Sequence, residues 1–214
     1  MDWVQLLSNV TICCTIGMFM AGIPDCFGII RTGSTENVIF LPFLMTNMNN
    51  IMWFFYGYLK QDSTLMIVNS VGSFLQSSYM IVFIFYTKSK LLPFQRTVAA
   101  FIAMVTLYMY LTSYTSTSEA VLNQLGLICS SVTVLMYFSP LAEIATVIRT
   151  QSAKGISLPL TITTLIASSL WVFYGKCVND LYIQVPNIPG IVSSLLRIIL
   201  LWKYKDNSVT ASSS

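Results

Sequence analysis

The chain has no histidine and very little charge. Only 9% of its 214 residues are charged, whereas soluble domains usually carry about a quarter. The absence of histidine excludes the zinc ligand sets that contain histidine, and histidine-based acid–base catalysis. The five cysteines form neither a disulfide framework nor a metal-binding spacing, because four of them fall inside long apolar runs. The sequence therefore predicts an integral membrane protein that is not an enzyme and needs no metal and no cofactor.

What the chain has instead is a series of long apolar runs. Each is close to the roughly 20 residues that a helix needs to cross a bilayer. They predict seven transmembrane helices joined by short loops, at about 6–30, 38–59, 64–86, 97–113, 124–148, 156–176 and 181–202.

Lysine and arginine positions orient these helices. Of the 11 basic residues, eight fall in loops or at the terminus on one side and two, Lys60 and Lys176, on the other, while Arg197 lies inside a run. Cytoplasmic loops carry the positive excess in membrane proteins. We therefore expect an amino terminus outside or in the lumen, and a carboxyl terminus in the cytoplasm.

The chain also contains an internal repeat, in which residues recur 118 positions later. Three helices would invert the second copy, but a fourth helix precedes it, so the two copies have the same orientation. Such self-similarity predicts two three-helix repeats, at 1–90 and 119–205, a linker helix at 91–118, and a polar tail at 206–214. The matched pairs are Trp53/Trp171, Tyr56/Tyr174, Gly57/Gly175, Asp62/Asp180, Asn69/Asn187 and Gly72/Gly190.

Four prolines lie in the half of a run that we expect near the cytoplasm: Pro24, Pro42, Pro140 and Pro159. Proline removes a backbone hydrogen bond and clashes with the preceding turn, so it bends or breaks a helix. These positions are candidate hinges for alternating access, or else simple kinks without motion. In the first helix the hinge residue stays open, since the repeat aligns Gly22 rather than Pro24 with Pro140.

Two asparagines and two tryptophans are the candidate binding residues. Asn69 and Asn187 occupy one repeat position inside the apolar runs, where polar side chains are costly and often functional. By symmetry we expect them to face each other. An amide donates and accepts hydrogen bonds as vicinal hydroxyls require, and Trp53 with Trp171 offers flat faces for a sugar ring. Hydrogen bonding between helices and ordinary packing are the alternatives.

Three charged residues fall inside the runs: Asp25, Glu143 and Arg197. A buried charge persists when it is paired or hydrated. One hypothesis is that Arg197 bridges one of the two carboxylates when an inner gate is shut. The other is that these side chains reach toward the membrane surface. Proton coupling has little support, because histidine and a mid-membrane acid are both absent.

The chain resembles the SWEET sugar transporter family along its whole length, and its animal members most. The residues that carry this resemblance are spread over both repeats. They are Gly17, Met18, Phe19, Ala21, Gly22, Phe40, Leu41, Pro42, Phe43, Tyr56, Gly57, Val68 and Asn69, then Met136, Tyr137, Ser139, Pro140, Leu141, Val147, Ile148, Arg149, Thr150, Ser152, Tyr174, Gly175, Pro186, Asn187, Pro189 and Gly190.

The resemblance implies roles for several residues. Asn69, Asn187 and Trp171 match the family's sugar-binding residues. Pro42, Pro140 and Pro159 match its hinge tetrad, whose fourth position falls on Gly22 in an ungapped match and leaves Pro24 as the alternative. Tyr56 and Asp180 match a gate on the outer side, and Tyr174 is the repeat mate of Tyr56. The resemblance further implies a sugar substrate, a lipid environment in Golgi or plasma membrane, homo-oligomers and no nucleic-acid partner.

The resulting prediction is a facilitative, bidirectional hexose uniporter, with glucose as the first candidate, working by alternating access. Two other seven-helix classes are alternatives. A Golgi cargo retrieval receptor should carry several arginines in its cavity, and here only Arg197 is available. A lysosomal amino-acid exporter of the proline-glutamine loop type needs a Pro-Gln pair, but the corresponding prolines precede Phe43, Leu141 and Leu160.

Overall fold

A computed structural model describes residues 2–114 and 117–204 of the chain. Lys205 and the predicted polar tail at 206–214 lie outside the described residues. Over the described ranges the secondary structure is helical, which confirms the prediction of an all-α protein. The helices are α1 (Trp3–Phe19), α2 (Ile23–Thr32), α3 (Phe40–Lys60), α4 (Ser63–Tyr86), α5 (Leu91–Tyr114), α6 (Ser118–Met136), α7 (Phe138–Thr150), α8 (Leu158–Cys177) and α9 (Leu181–Lys203).

Each predicted apolar run coincides with a helix or a pair of helices. Within the described residues, six helical segments are long and apolar enough to cross a membrane, among them Trp3–Thr32 and Ser118–Thr150. The remaining predicted run, 38–59, corresponds to α3, whose 21 residues are long enough to span. Its three asparagines, Asn47, Asn49 and Asn50, make it less apolar than the others.

The first and fifth spans are each broken near their middle. A short 3₁₀ turn, Met20–Gly22, separates α1 from α2, and Tyr137 separates α6 from α7. Pro24 and Pro140 follow these breaks, in the first turns of α2 and α7. A proline clashes with the carbonyl group four residues before it, so a helix tends to break just ahead of it.

Pro42 and Pro159 lie in the first turns of α3 and α8, so the expectation that they bend or break a helix interior is wrong. The N–H groups of a first turn have no partner inside the helix, so a proline there removes no bond. The prolines inside a helix are Pro186 and Pro189 of α9, which were not among the predicted hinges.

The chain forms two compact units. One holds residues 15–129, and in it α4 packs against α3 and α2 while α5 contacts α3. The other holds the described residues of 1–14 and 130–214, and in it α9 packs against α8 and α7. In each unit the last helix of the repeat lies between its neighbours, and its side chains therefore reach both. The repeat boundaries at 1–90, 91–118 and 119–205 stay a prediction.

Candidate substrate-binding site

Asn69 and Asn187 adopt the same local geometry in their separate units. Asn69 Nδ2 donates to the backbone carbonyl of Leu65 at 2.8 Å, and Asn187 Nδ2 donates to that of Ile183 at 2.8 Å. Asn69 is buried and Asn187 is half-buried. The bond to the preceding turn uses one N–H of each amide, while an amide carries a second N–H and a carbonyl oxygen. Both side chains are thereby held in one orientation with binding capacity remaining.

An aspartate starts the helix that carries each asparagine. The Asp62 carboxylate accepts from the backbone N–H of Leu65 at 3.0 Å, and the Asp180 carboxylate accepts from that of Tyr182 at 2.9 Å. These are N-caps, which satisfy N–H groups that the first turn leaves without partners. Each cap lies seven residues, or about two turns, before its asparagine. The caps therefore set the height of the two amides.

Trp53 and Trp171 each pack against a tyrosine one turn along the same helix. The rings of Trp53 and Tyr56 meet edge to face with centroids 5.4 Å apart, and those of Trp171 and Tyr174 meet the same way at 5.7 Å. All four side chains are buried, and Tyr56 is only 1% exposed. Such pairs add about 0.5–1.5 kcal/mol beyond area burial. The tyrosines predicted as gates therefore also fix the orientation of the indoles.

The structure thus assembles two equivalent sets of predicted residues. Trp53 and Tyr56 on α3 belong with Asn69 on α4, in the unit of residues 15–129. Trp171 and Tyr174 on α8 belong with Asp180 and Asn187 in the other unit. Each set offers one amide and one indole. The pairing of Asn69 with Asn187, and of Tyr56 with Asp180, stays a prediction.

The glycines shared by both repeats allow close packing at the broken spans. A Cβ added at Gly72 would lie 2.5 Å from a ring carbon of Phe19, and one added at Gly190 would lie 2.5 Å from Tyr137 Oη. Phe19 and Tyr137 are themselves 118 residues apart. In each repeat, therefore, a glycine of the last helix packs against the break in the first span. That glycine lies three residues after the candidate binding asparagine.

Comparison with known proteins reproduces the internal repeat. The sequence model of a family described as "Sugar efflux transporter for intercellular exchange" matches the chain twice, at residues 5–91 and 123–208. The chain belongs to this family, the SWEET transporters.

Individual SWEET relatives match over almost the whole chain. Sugar transporter SWEET1 of Xenopus tropicalis is 46% identical over 204 residues, which are 95% of each chain. The human SWEET1 is 43% identical over 200 residues, 94% of this chain and 90% of the relative. The solved structure of a eukaryotic SWEET transporter superposes with a TM-score of 0.85 at 20% identity, covering 96% of this chain and 100% of that one. The predictions of SWEET membership and of seven membrane helices in a 3+1+3 arrangement are confirmed.

The sequence analysis missed a polar cluster in the first SWEET repeat. Ser73 Oγ donates to Asn47 Oδ1 at 2.7 Å, and Asn47 Nδ2 donates to Ser77 Oγ at 3.1 Å. These bonds join α3 to α4. A signal was available, because Ser73 and Ser77 follow Asn69 at spacings of four residues and so share its helix face.

The structure also identifies the partner of the buried arginine in this SWEET family member. Arg197 of α9 donates to the carboxylate of Glu143 in α7 and forms an ion pair with it. The sequence left Asp25 and Glu143 open as partners. Both residues of the pair belong to one compact unit, whereas Asp25 is exposed in the other. Whether the pair serves a gate stays a hypothesis.

Proposed function

We propose that the chain is a facilitative, bidirectional sugar transporter that carries a hexose, with glucose as the first candidate. The observation that carries this proposal is the doubled set of a buried tryptophan and an oriented asparagine, with the same bonds at matched positions. None of these four side chains is charged, which suits a neutral, hydroxyl-rich ligand. The printed names of the SWEET relatives, which describe sugar transporters, support the same substrate class.

In this proposal one sugar binds both sets. Asn69 and Asn187 exchange hydrogen bonds with its hydroxyls, and Trp53 and Trp171 stack on the apolar faces of the ring. The bond from each amide to the preceding turn fixes the side chain before the sugar arrives. A side chain that is already ordered loses less entropy on binding, which favours affinity.

Transport in this proposal alternates access to that site, without covalent chemistry. Tyr56, Tyr174 and Asp180 close the outer route. The broken spans bend near Pro24 and Pro140, where α2 and α7 begin, and the first turns at Pro42 and Pro159 allow further movement. The protein works in the Golgi or plasma membrane with its amino terminus outside or lumenal. It forms homo-oligomers in which each protomer has its own pathway.

The test is zero-trans uptake of labelled glucose into proteoliposomes that contain the purified protein, with and without a pH gradient. We expect saturable uptake that does not respond to the pH gradient and is lost in both Asn69→Ala and Asn187→Ala. Ile188→Ala is the matched control, since it truncates the exposed neighbour of Asn187 and should transport normally. Wild-type protein that is folded but takes up no hexose would refute the proposal, and uptake driven by the pH gradient would refute the uniport mechanism.

A further inference from the structure

One position in the last helix of each repeat bonds to the broken span of the same repeat. Tyr79 of α4 and Arg197 of α9 stand 118 residues apart. Tyr79 Oη donates to the backbone carbonyl of Phe19, the last residue of α1, at 3.1 Å. Arg197 donates to Glu143, which lies in α7. The residue at this repeat position therefore binds α1, the segment before the break, in the first repeat. In the second repeat it binds α7, the segment after the break.

The bond made by Arg197 is ionic and largely buried. Arg197 is 9% exposed, and a guanidinium inside a membrane protein needs a partner. In the first repeat the matched residues are Tyr79, whose side chain is neutral, and the exposed Asp25. Breaking a buried pair by removing one partner is strongly unfavourable, because it leaves the other charge without compensation. Arg197 consequently depends on Glu143.

Apart from the ion pair, the segment α7 packs against α9 mainly through apolar side chains. It is 13 residues long, and its buried residues are Ile144 and Val147. These pack in a small cluster with Leu200 and Tyr204 at the end of the chain's described part. Its counterpart α2 packs instead into a larger aromatic cluster that includes Phe40, Phe43, Tyr79, Met80 and Phe83. The ion pair thus joins α7 to α9 beside an apolar cluster that is smaller than the one formed by α2.

We propose that the Glu143–Arg197 ion pair is a positioning pair that makes α7 and the carboxyl-terminal half of α9 move as one body about the break at Tyr137. The proposal rests on the alternating-access transport proposed above, and it differs from the gate hypothesis. A gate bond forms and breaks during the cycle, whereas this pair stays intact through it. Its loss uncouples α7 from the helix that carries Asn187 and leaves the binding residues in place.

The first experiment does not depend on sugar. Hydrogen–deuterium exchange is measured on the full-length protein for wild type, Glu143→Gln, Arg197→Gln, and the reversed pair Glu143→Arg with Arg197→Glu. Asp25→Asn is the control, because it removes the same charge at the matched position of the other repeat. We expect residues 138–150 to exchange faster in both single variants than in wild type, to return toward the wild-type rate in the reversed pair, and to keep the wild-type rate in the control.

The second experiment is glucose uptake, expressed per folded transporter. Mutations in a coupling network typically change coupling by enough to alter rates severalfold, so we expect the maximal rate to fall by at least about threefold in the single variants, with KM unchanged. The reversed pair should recover most of the rate. If the single variants fail to fold, a reversed pair that folds and transports still supports the proposal.

Three results of these comparisons, and one change in the kinetics, would overturn the positioning role. They are unchanged exchange in α7 of the single variants, an equal effect of Asp25→Asn, and a reversed pair as impaired as the single variants. A change in KM without a change in maximal rate would point to the binding site and would also overturn it. If wild type transports no sugar at all, the transport proposal fails, while the exchange experiment still decides whether the pair holds α7.

Discussion

Asp180 is a residue with two candidate roles. The resemblance to SWEET transporters assigns it to an outer gate, while its carboxylate accepts from the N–H of Tyr182 and caps α9. It is 2% exposed, so the cap bond is shielded from water. A loss of transport on mutating Asp180 would therefore not by itself identify a gate, because the height of Asn187 depends on the same helix start.

The two roles separate by substitution. Asn caps a helix about as well as Asp, whereas Ala does not, at a cost of about 1 kcal/mol. We expect Asp180→Ala to lower the melting temperature and Asp180→Asn to leave it near wild type, with Asp62→Ala and Asp62→Asn as the matched pair on α4. Equal destabilisation by Asp180→Asn and Asp180→Ala would contradict the capping role. The uptake rate of the stable Asp180→Asn variant then reports on the gate alone.

Candidate site residues could be selected from the sequence where the same residue type occurs at the matched position of both repeats. The asparagines, tryptophans, tyrosines and aspartates could be chosen because each stands 118 residues from an identical residue. The partner of Arg197 was left open, since Asp25 and Glu143 fall at similar depths. The repeat itself contained the answer: Arg197 matches Tyr79 and Glu143 matches Asp25, so a pair formed within one copy had to be Arg197 with Glu143.

At the scale of elements, the helices follow from apolar length but their interruptions do not. The hydrophobic runs locate every span, because a segment that crosses the lipid must be apolar whether its helix is straight or bent. A run does not mark the first hydrogen-bonded turn, however, and Pro42 and Pro159 were assigned to helix interiors although they begin α3 and α8. An apolar run also does not show where a helix is interrupted, since the sequence is apolar before and after the break at Met20–Gly22.

Helix packing at these breaks should depend on the glycines of α4 and α9. Gly72→Ala and Gly190→Ala each force a methyl group against Phe19 or Tyr137, and overpacking typically costs about 1–3 kcal/mol. We expect both variants to melt at lower temperature. Gly17→Ala is the control, because a Cβ there meets nothing within 4 Å and alanine favours a helix more than glycine does. Melting temperatures that rise in all three variants would show that the packing is looser than described.

At the scale of the whole molecule, the two repeats share their candidate binding residues but differ in the polar contacts that join their helices. The first repeat joins its helices α3 and α4 through Asn47, Ser73 and Ser77, and the matched residues of the second are Leu165, Ile191 and Leu195. In the second repeat Arg197 pairs with Glu143, whereas the matched residues of the first repeat are Tyr79 and Asp25. The sequence shows which positions match, but which polar groups meet depends on helix rotation, which only the structure supplies.

Equal binding residues should contribute equally to affinity. We expect Trp53→Leu and Trp171→Leu each to weaken glucose binding by about fivefold, equivalent to about 1 kcal/mol, because each removes one stacking face and keeps apolar volume. Trp3→Leu and Trp202→Leu should bind normally, since these side chains are 65% and 85% exposed. Titration calorimetry measures all four. A tenfold difference between the two site variants would mean that only one repeat supplies the stacking face.

The division of α1 between the compact units bears on biosynthesis. Residues 1–14 group with residues from 130 onward, while 15–129 form a unit of their own. During translation the start of the first helix leaves the ribosome more than a hundred residues ahead of the partners it will pack against. Contacts between such distant segments are slow to form. We therefore expect the first turns of α1 to complete their packing only after residues 130 onward have been inserted into the membrane.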